Sequence, residues 1–224
     1  MKKGFVFAFV CIFLLAIAGC TAQEVQGPNA TPIPTEEHES DILMTENISV
    51  DYPEIGVAED KKQAVSQLVK NQVEEWINSQ FEADSQIRLT GSVTTQNDTY
   101  LWILFEGNAV PPQAAHPSNV AYAVCVCLND IMVADPLSMV SIDDTFAENF
   151  RMQFPSETPS SKYSSDQWSQ IVDFVNGHTT KDLISVISGS QLALTENGVI
   201  VCLNVPHAIG DYVKIIVECS ETNI

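Results

Sequence analysis

One strand-like segment, residues 120–128, constrains the fold of this chain more than any other. Its even positions carry Val, Tyr, Val, Val and Leu, and its odd positions carry Ala, Ala, Cys and Cys. Successive side chains of a strand point to opposite faces, so both faces of this strand are apolar. A strand of this kind is buried on both sides. We therefore expect a bulky element, with a helix as the first candidate, to cover the face of small side chains.

The clearest helix is predicted between two strand regions. From Val65 to Phe81, apolar residues recur at i, i+3, i+4 and i+7, and Asp60 with Gln63 has the spacing of a capping box. Residues 48–52 and 87–93, on either side, alternate in the manner of strands. A turn at Asn97-Asp98 and an apolar run from Tyr100 to Phe105 then predict a hairpin. One face of this helix is expected to pack on the core.

The second half of the chain again keeps helices and strands apart. Helical spacing occurs in short stretches between residues 145 and 187, and a meander of strands follows from residue 191 to 217. Hairpin-connected strands with helices in separate blocks are typical of α+β folds. We predict an α+β domain over residues 47–221, built on an antiparallel sheet with helices packed on one face.

The N-terminus has the features of an export signal. Lys2 and Lys3 precede an apolar run from Phe5 to Ile17, and small residues lead to Cys20. This ending resembles the bacterial lipobox, in which the cysteine receives a diacylglycerol and becomes the new N-terminus. The resemblance predicts a signal peptide over residues 1–19 and lipidation of Cys20. An ordinary signal peptide and a short membrane helix are the alternatives.

Residues 20–46, between the predicted lipidation site and the domain, are rich in Pro, Thr, Glu and Gln. The prolines break any regular element, and the carboxylates repel one another. We predict a disordered tether that holds the domain away from the membrane. No second apolar stretch is long enough to span a bilayer, so the lipid is the only membrane attachment that we expect.

The chain is strongly acidic, with a formal net charge of −19. Removal of the signal peptide would make it more negative, because Lys2 and Lys3 leave with it. Such a surface repels nucleic acid, which is therefore not an expected partner. It attracts cationic partners in a salt-dependent manner. Solubility without a specific partner is the alternative explanation of the charge.

Four cysteines remain beyond the signal peptide and the lipidation site: Cys125, Cys127, Cys202 and Cys219. An exported protein can oxidise them. Cys125 and Cys127 point the same way on one strand and are poorly placed to bond each other. Any disulfides would therefore join this pair to Cys202 and Cys219, in one of two pairings, and four buried thiols are the alternative. No metal site is predicted, because no C-x-x-C and no suitably spaced histidine accompany these cysteines.

The signatures of common catalytic sites are missing, so no catalytic residue and no cofactor is predicted. An enzymatic alternative has two sets of candidates. His116, in a loop before a strand, has the side chain of a general base, although such residues more often tie a loop to backbone carbonyls. Asp143 and Asp144 have carboxylates suited to a cation, although one of such a pair more often caps a helix. Trp102 and Trp168 are suited to stacking on sugars, but their apolar neighbours favour burial.

Five segments of the chain resemble, in the same order, one extracellular domain of Gram-positive bacteria. The segments are Ile48–Ile55, Gly91–Phe105, Ala114–Pro117, Ile142–Phe146 and Leu192–Val213. They are similar to the domain of unknown function shared by a peptidoglycan deacetylase and a lysozyme-sensing anti-sigma factor. The resemblance implies a compact α+β module outside the membrane. In the anti-sigma factor, that module resembles a receptor that binds lysozyme.

The resemblance does not predict deacetylase activity or sigma-factor restraint for this chain. The metal-binding Asp and His motifs of the deacetylase are missing, and no cytoplasmic segment that would restrain a sigma factor is recognised. We therefore expect a non-catalytic binding module, anchored by lipid to the extracellular face of a Gram-positive cell membrane. Its expected partner is a basic protein such as lysozyme, or a cell-wall glycan. The alternatives are an enzyme that modifies wall polymers, with His116 as base and Asp143 or Asp144 as its acidic partner, and an accessory structural domain.

Overall fold

The computed structural model describes residues 42–154 and 163–218, which form two β-sheets and four α-helices. The elements in chain order are β1 (Ile42–Met44), β2 (Ile48–Asp51), α1 (Glu59–Gln80), β3 (Gln86–Gln96), β4 (Tyr100–Val110), β5 (Ser118–Cys127), β6 (Met132–Val133), α2 (Asp144–Met152), α3 (Ser165–Asn176), α4 (Thr180–Ser188), β7 (Gln191–Thr195), β8 (Gly198–Asn204) and β9 (Tyr212–Glu218). The first sheet has the strand order β1-β2-β3-β4-β5-β6, and the second has the order β7-β8-β9. The predicted α+β class is confirmed.

The first sheet contains the predicted hairpin and one pairing that was not expected. The strands β3 and β4 form the hairpin, and Asn97 Oδ1 accepts hydrogen bonds from the backbone N–H groups of Thr99 and Tyr100 in its turn. The strands β2 and β3 are parallel, with α1 between them, whereas the prediction was an antiparallel sheet. β1 lies within the predicted tether, so the sheet begins at Ile42 and not at Asn47.

One face of α1 packs against the first sheet, as its apolar periodicity predicts. The buried residues of this face are Val65, Val69, Val73 and Ile77. They share a core with apolar side chains of β3, β4 and β5, including the large side chains of the β5 segment described above. Trp76 lies beside this core and stacks on Tyr122, with ring centroids 4.7 Å apart.

The opposite face of the first sheet packs on the second sheet. Trp102, Leu104 and Cys125 share a second core with β7, β8 and β9 and with α2, α3 and α4. β8 is buried at every position from Gly198 to Leu203, so both of its faces are covered. The small side chains of β5 therefore meet a sheet and not the helix that the sequence suggested. Small residues leave space for a neighbour without specifying its type.

Three helices start at a side-chain cap: Asp143 for α2, Ser164 for α3 and Thr179 for α4. Each side chain accepts a hydrogen bond from a backbone N–H group that would otherwise have no partner in the helix. α1 instead follows Ala58, which provides no side-chain cap. The predicted capping box of Asp60 and Gln63 is wrong, because Asp60 already lies in the first turn of the helix. The negative charge of Asp60 there interacts favourably with the positive end of the helix dipole.

None of the helices within residues 42–154 and 163–218 is long and apolar enough to cross a bilayer. The predicted signal peptide, the lipidation site at Cys20 and the tether up to Asp41 lie outside the described residues.

Candidate functional site

His116 lies in the loop between β4 and β5 and is exposed. Its imidazole makes no hydrogen bond or ion pair with any described residue. A general base is normally oriented by a second group that also selects its tautomer. The described part of the chain provides no such group for His116, nor the backbone contacts expected of a loop-tying histidine.

The other predicted candidates serve the fold. Asp143 Oδ1 accepts a hydrogen bond from the backbone N–H of Phe146 at 2.8 Å, which makes it the cap of α2. Asp144 lies exposed in the first turn of that helix. No group of three His, Cys, Asp or Glu side chains among the described residues is arranged to hold a metal ion. Trp102 is 0% exposed and Trp168 is 2% exposed, so neither ring is available to a sugar.

The cysteines that the structure describes lie in or beside the second core. Cys125 is a buried thiol, and its Sγ lies 3.7 Å from the Sδ of Met139. Burial, followed by the neighbouring Cys127, raises the pKa of Cys125 to about 12. This thiol is therefore protonated at neutral pH and is a poor nucleophile and metal ligand. Cys202 is buried on β8, and Cys219 lies outside the described residues, so the disulfides remain a prediction.

A hydrogen-bonded polar group, which we call the sheet junction, connects the start of β5 to the turn before β9. Asp211 Oδ2 accepts a hydrogen bond from the backbone N–H of Asn119 at 2.7 Å. Asp211 Oδ1 lies 2.6 Å from His207 Nδ1. Gly210 has a φ of 123° and Asp211 has a φ of 68°, so two consecutive left-handed residues place this carboxylate.

The sheet junction orients an exposed histidine. The Asp211 carboxylate is 16% exposed, whereas the His207 side chain is 57% exposed. A carboxylate on Nδ1 fixes the ring and leaves Nε2 for another partner, as in many proton-transfer and ligand sites. However, no serine, threonine or cysteine among the described residues is hydrogen-bonded to His207. The arrangement is suited to binding, and it lacks a neighbouring nucleophile in these residues.

A second polar group ties β4 to β9 close to the sheet junction. The Tyr212 hydroxyl donates a hydrogen bond to Glu106 Oε1 at 2.8 Å, and Lys214 Nζ forms an ion pair with Glu106 Oε2. The Tyr163 hydroxyl donates to the Tyr212 carbonyl at 3.3 Å. Burial, followed by the hydrogen bond to Glu106, raises the pKa of Tyr212. Glu106 is thus held between two donors at the boundary of the two sheets.

Sequence analysis did not select His207, Asp211 or Glu106. The local signal was the bend at Ile209-Gly210-Asp211, which places a histidine and an aspartate on either side of a glycine. That signal indicates a turn, but the contact with Asn119 joins residues 92 positions apart. Only the packing of the two sheets brings these groups together.

An open groove runs beside β5, on the side of the first sheet where β6 ends. Its volume is about 470 Å³, within the range of small-ligand sites. It is lined by residues 122, 123 and 125 of β5, by residues 133–137, and by residues 188 and 190–192. Val133 and Leu137 on its wall are 41% and 44% exposed. Asp135 is the charged residue of the lining. The groove therefore combines an apolar wall with a negative charge.

No protein-family model matches the sequence, and no curated protein sequence is similar to it. Among solved structures, a DUF3298 family protein from Pseudomonas aeruginosa PAO1 is similar, with a TM-score of 0.40 and 11% sequence identity over 79% of this chain and 84% of that chain. A member of the DUF3298 family from Bacteroides fragilis is similar with a TM-score of 0.33 and 15% identity, over 73% of this chain and 68% of that chain.

Proposed function

We propose that this protein is a surface lipoprotein whose α+β domain binds a cationic protein, such as lysozyme, at the bacterial cell wall. In this proposal, lipid on Cys20 attaches the protein to the outer face of the cell membrane. The partner is recognised through contact and electrostatic attraction, without a chemical step on it. The observation that carries the proposal is the formal net charge of −19.

Several of the described basic side chains make polar contacts within the protein. Arg151 pairs with Glu148, and Lys214 pairs with Glu106. Lys61 Nζ donates a hydrogen bond to the Leu128 carbonyl at 2.9 Å. The chain has 29 acidic and 10 basic residues, so carboxylates dominate its surface field, and this field speeds the encounter with a cationic protein.

Four exposed carboxylates lie at the C-terminal end of α1 and in the turn that follows. The four side chains are Glu74, Glu75, Glu82 and Asp84, and all are exposed. No basic residue occupies the last turn of α1, where the helix dipole is negative. This end of the molecule therefore adds backbone and side-chain fields of the same sign, which supports attraction of a cation.

Calorimetric titration of the full-length chain with lysozyme tests the proposed partner. We expect binding at low salt and an affinity that falls by about tenfold or more at physiological ionic strength, because added salt screens exposed charges. A variant with Glu74→Lys and Glu75→Lys should bind more weakly than a matched variant with Asp166→Lys and Asp173→Lys on α3. Absence of binding at both salt concentrations would exclude lysozyme. An affinity that does not change with salt would exclude the electrostatic mechanism.

Metabolic labelling with a palmitate analogue tests the proposed anchor. The wild-type chain should incorporate the label and fractionate with membranes, whereas Cys20→Ala should do neither. Label that persists in Cys20→Ala would place the lipid elsewhere and contradict the proposed anchor.

A second candidate is an enzyme that acts on wall polymers, and one observation favours it. His207 is oriented by Asp211 and exposes the rest of its ring, which is an arrangement used for proton transfer. Incubation of the full-length chain with purified peptidoglycan, followed by analysis of released sugars and peptides, tests this candidate. Products that disappear with His207→Ala but persist with His116→Ala would support it. The absence of products would leave binding as the function.

A further inference from the structure

The geometry points to the edge of β5 from Asn119 to Ala123 as a docking site for an extended segment of a cationic partner protein, which adds to the first sheet as a strand. The strand pairing rests on the structure of this edge. The sign of the partner's charge rests on the proposed function. A segment bound in this way would continue the sheet at the point where β6 leaves it.

β6 covers only the end of β5. It pairs with β5 at Val126 and Cys127, and the backbone N–H of Ala134 then donates to the Cys125 carbonyl at 2.9 Å. Beyond Cys125, no described strand pairs with this side of β5. In an antiparallel strand, alternate residues direct their N–H and C=O groups to the same side. Residues 119, 121 and 123 therefore face the unpaired side together with Cys125.

Two side-chain oxygens occupy places where a partner strand would offer carbonyls. Gln191 Oε1 accepts from the backbone N–H of Ala123 at 3.0 Å, and Asp211 Oδ2 accepts from the N–H of Asn119 at 2.7 Å. Between them, the N–H of Ala121 makes no hydrogen bond with any described residue. An unpaired strand edge of this kind is a template for strand addition, in which a carbonyl of the arriving strand would replace Gln191 Oε1 as the acceptor for Ala123.

The groove beside β5 gives such a segment room and side-chain contacts. Its lining includes Ala123 and Cys125 on β5, and Gln191 on the opposite wall. Its volume of about 470 Å³ leaves space for several residues of an extended chain. Leu137 and Val133 offer exposed apolar surface along the path that the segment would take. Backbone pairing would thus supply affinity, and the wall would select side chains.

Charge selects a cationic segment over a second copy of this chain. Asp135 lies in the groove lining, which includes no Lys or Arg. Glu75 is close enough to Tyr122, another lining residue, to raise the pKa of that tyrosine after the larger effect of burial. Pairing two copies edge to edge would bring together two chains of net charge −19, which repel each other.

Hydrogen–deuterium exchange of the full-length chain in detergent tests the docking site. The probe is an acetylated and amidated peptide of about eight residues, a usual strand length, in which Val and Lys alternate. We expect the peptide to slow exchange within residues 119–124 by about tenfold at Ala121, because the outward N–H of this residue becomes hydrogen-bonded. A peptide in which Val and Glu alternate should give no protection.

Matched variants separate the groove from general electrostatics. Leu137→Lys places a positive charge on the groove wall, and Met152→Lys makes the same change at an exposed residue of α2. We expect Leu137→Lys to weaken peptide binding by about tenfold and Met152→Lys to change it by less than about twofold. Gln191→Ala should strengthen binding, because the Ala123 N–H no longer has to be released from a side chain.

Several outcomes would overturn the docking site. The first is protection that appears only outside residues 119–124, and the second is equal protection by the Val–Glu peptide. The third is an equal effect of Leu137→Lys and Met152→Lys on peptide binding. The fourth is concentration-dependent protection without peptide, which would identify a second copy as the occupant. Lysozyme binding that is insensitive to Leu137→Lys would overturn the docking site and leave the proposed function intact. Peptide protection without lysozyme binding would support the site and exclude lysozyme.

Discussion

The Asp211 carboxylate accepts a hydrogen bond from the backbone N–H of Asn119, and this contact joins the second sheet to the free edge of the first. The acceptor is charged and only 16% exposed, so the bond belongs to the stronger class of protein hydrogen bonds. The same carboxylate contacts His207, so its loss would affect both the edge and the histidine.

We expect Asp211→Ala to lower the free energy of unfolding by about 2–3 kcal/mol, because it removes this bond and places alanine at a positive φ. Asp211→Asn is the matched control, since asparagine keeps an acceptor oxygen and tolerates the left-handed region. It should cost about 1 kcal/mol or less. Urea denaturation measures both values. Equal losses in the two variants would show that the carboxylate charge, and not the hydrogen bond, matters.

Tyr212 should make the stability of the protein fall at alkaline pH. Burial and the hydrogen bond to Glu106 raise its pKa above the ordinary value of 10.0, so the tyrosine ionises first in the unfolded chain. The stabilising contribution is complete below pH 10.0 and is lost as pH rises above that value. Tyr212→Phe should cost about 1–2 kcal/mol at neutral pH and weaken the alkaline loss.

Unfolding measured by chemical denaturation between neutral pH and about pH 11 tests this dependence. Tyr100→Phe is the control, because the Tyr100 hydroxyl makes no hydrogen bond with a described residue. A Tyr212→Phe variant with the same alkaline slope as the wild type would assign that slope to other groups.

The thiol of Cys125 should resist modification in the folded protein. Its burial and its pKa of about 12 keep it protonated at neutral pH, and the thiolate is the reactive form. We expect an aromatic disulfide reagent to react with half-buried Cys127 at least about tenfold faster than with Cys125. Mass spectrometry of the labelled peptides, with and without denaturant, resolves the two sites. Failure of both residues to react after denaturation would indicate that they are already oxidised.

Gly107 should be required for the pairing of β3 and β4. A Cβ at this position would lie 1.9 Å from the carbonyl oxygen of Arg88, in backbone that cannot move aside. Gly107→Ala should therefore destabilise the protein by about 3 kcal/mol or more. Gly189→Ala is the matched control, because its Cβ would meet its nearest atom at an ordinary 3.6 Å. Similar melting temperatures for the two variants would contradict this prediction.

The periodic elements could be predicted from the sequence because their signals are local. The apolar stripe of α1, the alternation of β3 and the apolar runs of β4 and β5 each arise within one segment. The pair Asp143 and Asp144 likewise indicates a helix cap from the local sequence, and the structure gives this role to Asp143. Burial of Trp102 and Trp168 follows from the apolar residues around them.

The relationships between distant segments could not be predicted in this way. The small side chains of β5 indicate a close neighbour, but a helix and a sheet satisfy that requirement equally well. The parallel pairing of β2 with β3 depends on how α1 crosses the sheet, which neither strand encodes. The contact of Asp211 with Asn119 needs both the left-handed turn and the approach of the second sheet.

The strands β4 and β5 contribute to two cores at once. Leu101, Ile103 and Phe105 point toward α1, whereas Trp102 and Leu104 point toward the second sheet. Neither core can therefore unfold while the other stays native, because the loss of either core would expose one face of the same two strands. Heat should disrupt the domain in one cooperative step. A partner bound at the free edge of β5 would therefore stabilise both cores against thermal unfolding.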